Sequence, residues 1–448
     1  MTARIRLELK RWVEHLPEHV SRPLSRVPFS LRFGRTYARS CQDLLRVERL
    51  SSDEREALAV KRLKKILTYA YERVPFYQEH YIKQGFHPDH FRELNDWDKV
   101  PIVSKENMRS VLIAGRVVNT VRGMQINTGG TSGQPLEFLV DAQAFAREWA
   151  HMHHIWSAHG YRPSHLKLTF RGKHFNRAEV LRYNAVHNEY IVNSNCSMTE
   201  IVSAVRNLTE VLVVRWLHGY PSLIAEFAEC VNREDSDLAD FLRRRLYGVL
   251  LGSEYPANIY RSRIESILSS NVVSWYGHSE MVLLARETAR GVYTALPSYG
   301  FAEAIREDKT SHSCRLVGTC FYNRAHPFVR YDTGDLVMPL SHERGILSFQ
   351  VLEGRVGDFV IGRDGRRISL TAIIFGRHHP GFADVHHVQV RQDDIGSITL
   401  LVVADSKRTS PEDLHAGFNL DDVDIDWRIE VIDKPIRSMA GKIKLLVN

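Results

Sequence analysis

Cysteine is scarce in this chain and scattered. The five residues, Cys41, Cys196, Cys230, Cys314 and Cys320, include no CxxC pair. Neither a disulfide framework nor a zinc site is encoded, and a reducing compartment, the cytoplasm, is the expectation. Long apolar runs are missing as well. No uncharged stretch approaches the roughly 18 residues that a membrane span needs, so no transmembrane segment is expected. The N-terminal MTARIRLELKRWVEHLPEHV carries charges every few residues and lacks the apolar centre of a signal peptide. Its first 13 residues alternate basic and apolar positions. A helix packed on the domain is the plain reading of that pattern, and a helix on a membrane surface is the other. Lysine and arginine are spread along the chain without a nucleic-acid-binding signature, so nucleic acid is not an expected partner. Internal repeats and low-complexity linkers are absent too.

What is present has the profile of a soluble globular protein. With 448 residues the chain exceeds one ordinary core, and two or three domains are expected. Hydrophobic residues at 44% and charged residues at 25% match globular proteins rather than disordered or membrane ones. The net charge of +7 suits acidic ligands such as nucleotides, although a solvated basic surface accounts for most such charges.

Texture changes along the chain. The first 125 residues read as mostly helical. Ser51 and Ser52 stand before acids and helically spaced apolar residues in SSDEREALAVKRLKKILTYAYERV, Pro75 stops that helix, and Ser104 caps a short one. From Met124, short apolar runs alternate with amphipathic stretches, the pattern of an α/β sheet with crossover helices. Strands dominate from about residue 291, and a last section with its own strands, SITLLVVAD and WRIEVID, starts near Gly354.

Six short motifs could carry chemistry. NTGGTSGQP (127–135) packs three glycines and three hydroxyl residues between two strands. It is either a hairpin loop or a cradle for phosphate, and it lacks the Lys-Ser/Thr pair of a Walker A loop. LLGSEYP (250–256) reads as strand, turn and helix start. WYGHSE (275–280) ends a strand, where α/β sheets hold ligands; its tyrosine could stack on a base and its glutamate could hold Mg²⁺. RYDTGDLV (330–337) places two aspartates around a tight turn that could accept ribose hydroxyls. EGRVGDFVIGRDGRRIS sets Arg355 and Asp358 ahead of an Asp364-Gly365 hairpin, and IRSMAGKIKLLV sets Lys442 in a small-residue turn. Each has a purely structural reading when taken alone: a turn, a cap or a surface charge. The histidine groups at 151, 153 and 154, at 378 and 379, and at 386 and 387 read as packing or surface residues, since no cysteine or carboxylate completes a ligand set.

Taken in order, the six motifs resemble the adenylate-forming (ANL) superfamily. Within it, the chain is similar to the phenylacetate–CoA ligase branch and its CapK-like proteins. LTYAYERVPFYQEHY, DWDKVPIVSKENMR and HGYPSLIAEFAE extend the likeness, from about residue 60 onward. The resemblance implies an α/β fold: a large N-terminal adenylation domain (1–353) with mixed sheets and crossover helices, then a small, mobile α+β C-terminal domain (354–448). It implies ATP-dependent activation of a carboxylic acid to an acyl-adenylate, with pyrophosphate released, then transfer to the CoA thiol. ATP, Mg²⁺ and CoA are the implied cofactors and co-substrates, a small carboxylate is the implied partner, and the branch allows a homodimer. The alternatives are a CapK-like enzyme of polysaccharide or secondary-metabolite biosynthesis with a non-CoA acceptor, and a catalytically silent scaffold.

The implied roles fall on numbered residues. Thr128, Gly129, Gly130, Thr131, Ser132 and Gly133 would close over the ATP phosphates. Gly252, Ser253 and Glu254 would line the adenine pocket, and Tyr276 with Gly277 would lie against the base. Ser279 would approach the α-phosphate, Glu280 would bind Mg²⁺, Asp335 would hold the ribose and Arg355 would steady it. Lys442 would be the mobile catalytic lysine, with Gly357 and Asp358 at the hinge. His218, Tyr220, His278 and the stretch around Tyr299 would be walls of the acyl pocket. Two positions depart from the family pattern: Gln134 stands where a loop lysine is common, and Gly357 stands where the hinge often carries a charge.

Overall fold

The computed structural model describes residues 17–447 except 128–135, 174, 177, 195, 253–255, 257, 307–312, 344–345, 354–358, 366, 371–373, 375–378, 380–384, 405–410, 419, 421–422 and 438–442. The basic and apolar N-terminal pattern at 1–13 therefore lies outside the described residues. The chain divides into two compact units. One combines Phe29–Ala158 with Trp275–Val356; the other combines the segment ending at Pro28 with His159–Ser274 and Gly357–Asn448. We call them the antiparallel and the parallel unit after their main sheets.

The antiparallel unit opens with helices whose ends are set locally. Ser51 caps Ser52–Arg73 by accepting from Glu54 N at 3.3 Å, while the Glu54 carboxylate accepts from Ser51 N at 2.8 Å. This reciprocal box satisfies two amides that have no partner within the helix. Val74 is extended (φ −123°, ψ 109°), as a residue before proline prefers, and Pro75 opens Pro75–Lys83 rather than ending the helical region. Ser104 caps Lys105–Arg109 as expected. A hairpin of Gly123–Asn127 and Glu137–Asp141 follows, then the helix Ala144–Ser157. The sheet has seven antiparallel strands in the order Gly300–Arg306, Cys314–Cys320, Tyr331–Glu343, Ile346–Glu353, Val292–Ala295, Leu284–Ala289, Trp275–Gly277. The early helices dock on it through specific polar contacts. Tyr77, fully buried, donates to Pro327 O at 3.1 Å and accepts from Val329 N at 2.9 Å.

The parallel unit holds a six-stranded sheet in the order Leu181–Asn184, Glu189–Asn193, Lys167–Lys173, Trp216–Gly219, Gly248–Leu251, Val272–Val273. All pairs are parallel except the Leu181–Asn184 hairpin. Helices Met198–Val211, Pro221–Glu234, Ser236–Arg245 and Asn258–Leu268 provide the crossovers. Trp216–Gly219 and Gly248–Leu251 are buried at every position, as central parallel strands are. The same unit carries a four-stranded sheet, Asp426–Val431, Ser397–Ala404, Val385–Asp394, Leu446–Val447. It also carries the hairpin Phe359–Ile361 with Arg367–Ser369, whose turn uses Gly365 at φ +75°. Val385–Asp394 sits against the crossover helices. Arg263 pairs with Glu229 at 2.7 Å and donates to His386 O at 3.0 Å, and His386 Nδ1 lies 3.1 Å from Glu229. The fold is a mixed α/β architecture, as expected. No described helix is long and apolar enough to cross a membrane.

Candidate functional site

The WYGHSE stretch forms the strand Trp275–Gly277 and a turn. Met281 N donates to His278 O at 3.0 Å, with Met281 in the left-handed region at φ +55°. This turn swings Glu280 inward until it is 4% exposed. The Tyr331 hydroxyl donates to Glu280 Oε1 at 3.3 Å, while Glu280 Oε2 is buried with no hydrogen-bond partner among the described residues. A buried carboxylate oxygen left without a donor is costly unless a cation completes it. Glu280 therefore fits a divalent metal ion.

Asp335 lies at the opposite end of the same motif set. The TGD stretch proves to be an irregularity inside a long strand, Tyr331–Glu343, rather than a turn between strands. The register slips between Arg315 and Val317 of the neighbouring strand, and Gly334 takes φ +79°. Gly334 N donates to Asp332 Oδ1 at 2.9 Å and Asp335 N to Thr333 Oγ1 at 3.2 Å. Four steps from Asp332 to Leu336 oppose two from Arg315 to Val317, and these two extra residues re-aim the strand, as bulges do; Asp335 is 5% exposed. The Tyr276 hydroxyl donates to its carboxylate. The Tyr276 ring meets Phe349 edge-on with centroids 5.4 Å apart, and His278 lies 5.9 Å from it. Tyr276–Asp335 and Tyr331–Glu280 are thus two hydrogen-bonded pairs between the same two segments, 275–280 and 330–337, with Gly277, His278 and Ser279 between Tyr276 and Glu280.

The glycine-rich loop residues Thr128, Gly129, Gly130, Thr131, Ser132 and Gly133 lie outside the described residues, but the hairpin that carries them is held firmly. Buried Asn323 donates to Leu139 O at 2.9 Å and accepts from Asp141 N at 3.1 Å. Ser253, Glu254, Arg355, Gly357, Asp358 and Lys442 also lie outside the described residues.

In the parallel unit, Gly252 N donates to Gly219 O at 3.0 Å, tying the start of the G-S-E stretch to the end of the His218 strand. His218 is 1% exposed. Burial, then the nearby Arg171 and Lys167 cations, hold its pKa well below the usual histidine range. Tyr220 is buried just beyond it, with its N–H donated to Phe170 O at 2.9 Å. Tyr299, in the antiparallel unit, is buried and donates to Glu148. His151 and His153 are packing residues bonded to Ser298 and Tyr37, and no group of three potential metal ligands exists among the described residues.

Sequence reasoning missed Tyr331, although it stands inside the quoted RYDTGD motif. It also missed Arg171, Thr169 and Glu189 around His218. No signal short of the strand order could have found those three.

No protein-family model matches the chain. Among curated proteins, phenylacetate-coenzyme A ligase of Escherichia coli (strain K12) is 46% identical over 63 residues, which cover 14% of this chain and 14% of that ligase. Protein CapK of Staphylococcus aureus is 20% identical over 381 residues, covering 82% of this chain and 79% of CapK. Among solved structures, 2-hydroxyisobutyryl-CoA ligase in the postadenylation state with R3-HIB-AMP matches with a TM-score of 0.64 at 16% identity, covering 88% of this chain and 90% of that one.

Proposed function

Proceeding from a chain that is an adenylate-forming (ANL) superfamily protein in its sequence likeness and its fold, we propose that it activates a carboxylic acid with ATP and passes the acyl group to the CoA thiol. The observation that carries this reading is the two pairs Tyr276–Asp335 and Tyr331–Glu280, with one Glu280 oxygen left without a donor.

In this reading the substrate carboxylate attacks the α-phosphorus, an acyl-adenylate forms and pyrophosphate leaves. Asp335, oriented by Tyr276, accepts the ribose hydroxyls, and Tyr276 and Gly277 flank the adenine with Gly252, Ser253 and Glu254. Glu280, fixed through Tyr331, holds Mg²⁺, which supplies charge neutralisation at the phosphates. Thr128 to Gly133 and Ser279 bind phosphate oxygens. Lys442 stabilises charge at the α-phosphate, and Arg355 steadies the ribose. Residues 354–448 act as a mobile domain with Gly357 and Asp358 at its hinge. His278 and Tyr220 contribute to the acyl wall.

The long alignment with CapK favours a second reading, an adenylating enzyme of polysaccharide or secondary-metabolite biosynthesis whose acceptor is not CoA. Carboxylate-dependent ATP–pyrophosphate exchange tests both. The purified protein is assayed with aryl, fatty, hydroxy and amino acids, beside Lys442→Ala and Glu280→Ala. Exchange with one acid class, lost in both variants, is expected, and CoA consumption then separates the two acceptors. Exchange that persists undiminished in both variants sinks the site assignment. Folded protein that binds ATP but exchanges with no acid points to a silent scaffold.

A further inference from the structure

The parallel sheet contains a charged network of which the adenylation reading uses only His218, as a wall of the acyl pocket. Lys167, Thr169 and Arg171 alternate along one strand and so share one face of the sheet. Register places Lys167 beside Glu189 on one neighbouring strand and Thr169 beside His218 on the other. The side chains join in sequence. Lys167, fully buried, pairs with Glu189 at 3.0 Å and donates to His187 O at 2.8 Å. Asn184 donates to Glu189 Oε1 at 3.2 Å, and the Thr169 hydroxyl donates to Glu189 Oε2 at 2.8 Å. Thr169 Oγ1 lies 3.5 Å from His218 Nδ1, and Arg171 Nη2 lies 3.1 Å from His218 Nε2.

These contacts have one consistent hydrogen assignment. Guanidinium is only a donor, so His218 Nε2 accepts from Arg171 and the ring proton sits on Nδ1, facing Thr169. Thr169 spends its own proton on Glu189. The imidazole is therefore neutral, in agreement with the strong downward push on its pKa from burial and the two cations. Glu189 stays ionised: burial raises its pKa, but Lys167, then Arg171 and the Thr169 hydroxyl, outweigh that and hold it down to about 2.

Among the contacts of the described residues, Lys167 pairs with Glu189 and His218 is neutral, which leaves the Arg171 charge over. Arg171 has no ion-pair partner among the described residues, and its Nε is buried with no hydrogen-bond partner there. A guanidinium clamped on one edge, with a buried donor unused, is arranged in advance for an anion. Its place supports that use. Arg171 directly follows Phe170, whose carbonyl is clasped by Tyr220 N, near the carboxyl ends of parallel strands. One strand away, Gly252 is bonded to Gly219. Ligands of open α/β sheets bind at such strand ends.

We propose that Arg171, positioned by His218, is the subsite for a second anionic group on the substrate, so that the acid activated is a dicarboxylic acid or another acid with an anionic far end. This deepens the adenylation reading and rests on it. Arg171 is the specificity-determining residue and His218 a positioning residue that acts through it.

The test uses matched acids: glutarate against valerate, with 4-phosphonobutyrate as the phosphorus-bearing arm. In ATP–pyrophosphate exchange, wild-type kcat/KM is expected to favour a dianion over valerate. Arg171→Met should reduce that preference by roughly 10- to 100-fold, mostly through KM, since a charge-assisted pair is lost. Arg171→Lys should restore part of it, and His218→Leu should lower it with Arg171 intact. Preference for glutarate over the phosphonate assigns a carboxylate far end; the reverse assigns a phosphorus oxyanion. A wild type that prefers valerate, or a preference that Arg171→Met leaves unchanged, overturns the proposal. Calorimetric binding of the same three acids to wild type and Arg171→Met, without ATP, keeps the two readings apart. Dianion binding that depends on Arg171 supports the subsite even where exchange is absent, and equal binding of glutarate and valerate overturns it even where exchange is present.

Discussion

The Trp97 indole donates to Glu303 Oε2 at 2.7 Å, joining residues 206 positions apart. Arg330 Nε donates to the other oxygen at 3.1 Å, and its Nη1 donates to the carbonyls of both Asp98 and Val100. Glu303 is 5% and Arg330 4% exposed, so this ion pair pins the DWDKVP segment to the sheet from inside. Burial pushes the Glu303 carboxyl up to about 7, against the pull of Arg330 and the indole.

Arg330→Met is expected to cost about 3–5 kcal/mol at pH 7.5, because it leaves Glu303 buried without its cation. A group whose pKa rises on folding holds its proton more tightly in the folded state. The Glu303 contribution is therefore fullest below 4.5 and is lost as pH rises to about 7. Urea unfolding should show the variant recovering stability at pH 5.5. An equal deficit at both pH values would contradict the pairing.

Three buried histidines predict acid lability of the opposite sign. Burial above all lowers His151 to about 4, and His326 and His387 to about 3. Each is neutral in the fold but protonates near 6.5 once unfolded, so stability falls as pH drops below 6.5. At pH 5 each costs about 2 kcal/mol. His326, stacked on Phe328 with both ring nitrogens lacking hydrogen-bond partners among the described residues, isolates the effect. His326→Leu should shrink the stability difference between pH 7.5 and pH 5 by about that amount.

Gly219 sits at φ +135°, and a Cβ there would lie 1.9 Å from Phe170 O. Gly85, at φ +66°, has nothing within 4 Å. Gly85→Ala should cost about 1–2 kcal/mol from its backbone angle alone. Gly219→Ala should cost more than about 3 kcal/mol, since the clash is with backbone. Thermal melts that fail to rank the two in this order would refute the close approach of the strands.

Tyr276→Phe removes a hydrogen bond to the Asp335 carboxylate. A bond of this kind is worth about 1.5–3 kcal/mol, so KM for ATP should rise by about tenfold or more in the exchange assay while kcat changes less. An unchanged KM would detach Tyr276 from nucleotide binding.

Glu280→Gln keeps the shape and the Tyr331 contact but removes the charge. Exchange should fall by about 100-fold, and half-saturation should need more Mg²⁺, with urea unfolding close to wild type. Loss of folding instead would make Glu280 a structural residue.

What the sequence revealed was local. Ser51 and Ser104 act within one turn of their helices, and the WYGHSE and TGD stretches present their groups from contiguous residues. The TGD geometry was read as a turn, because its two extra residues are absorbed only by the slipped register against the partner strand. The Trp97–Glu303 bond and the Lys167–Glu189–Thr169–His218–Arg171 chain were illegible, because each depends on which strands become neighbours. The passage between units at 158–159 is followed by Gly160 and Pro163, an ordinary turn signal like many others in the chain, and the one at 274–275 opens the WYGHSE stretch, whose glycine belongs to that motif, so neither reads as a unit boundary.

Those passages set the order in which the protein can be made. The ribosome delivers Phe29–Ala158, then all of His159–Ser274, and only afterwards the Trp275–Val356 segment that completes the antiparallel unit. Until then Tyr77 has neither Pro327 nor Val329 to bond, and Trp97 has no Glu303. The nascent chain carries the apolar surface of a half-built unit while another long segment is synthesised, and closing it requires pairing across hundreds of residues. Such a chain folds slowly and depends on protection from aggregation during translation, so a lower synthesis temperature and chaperone supply should raise its soluble yield.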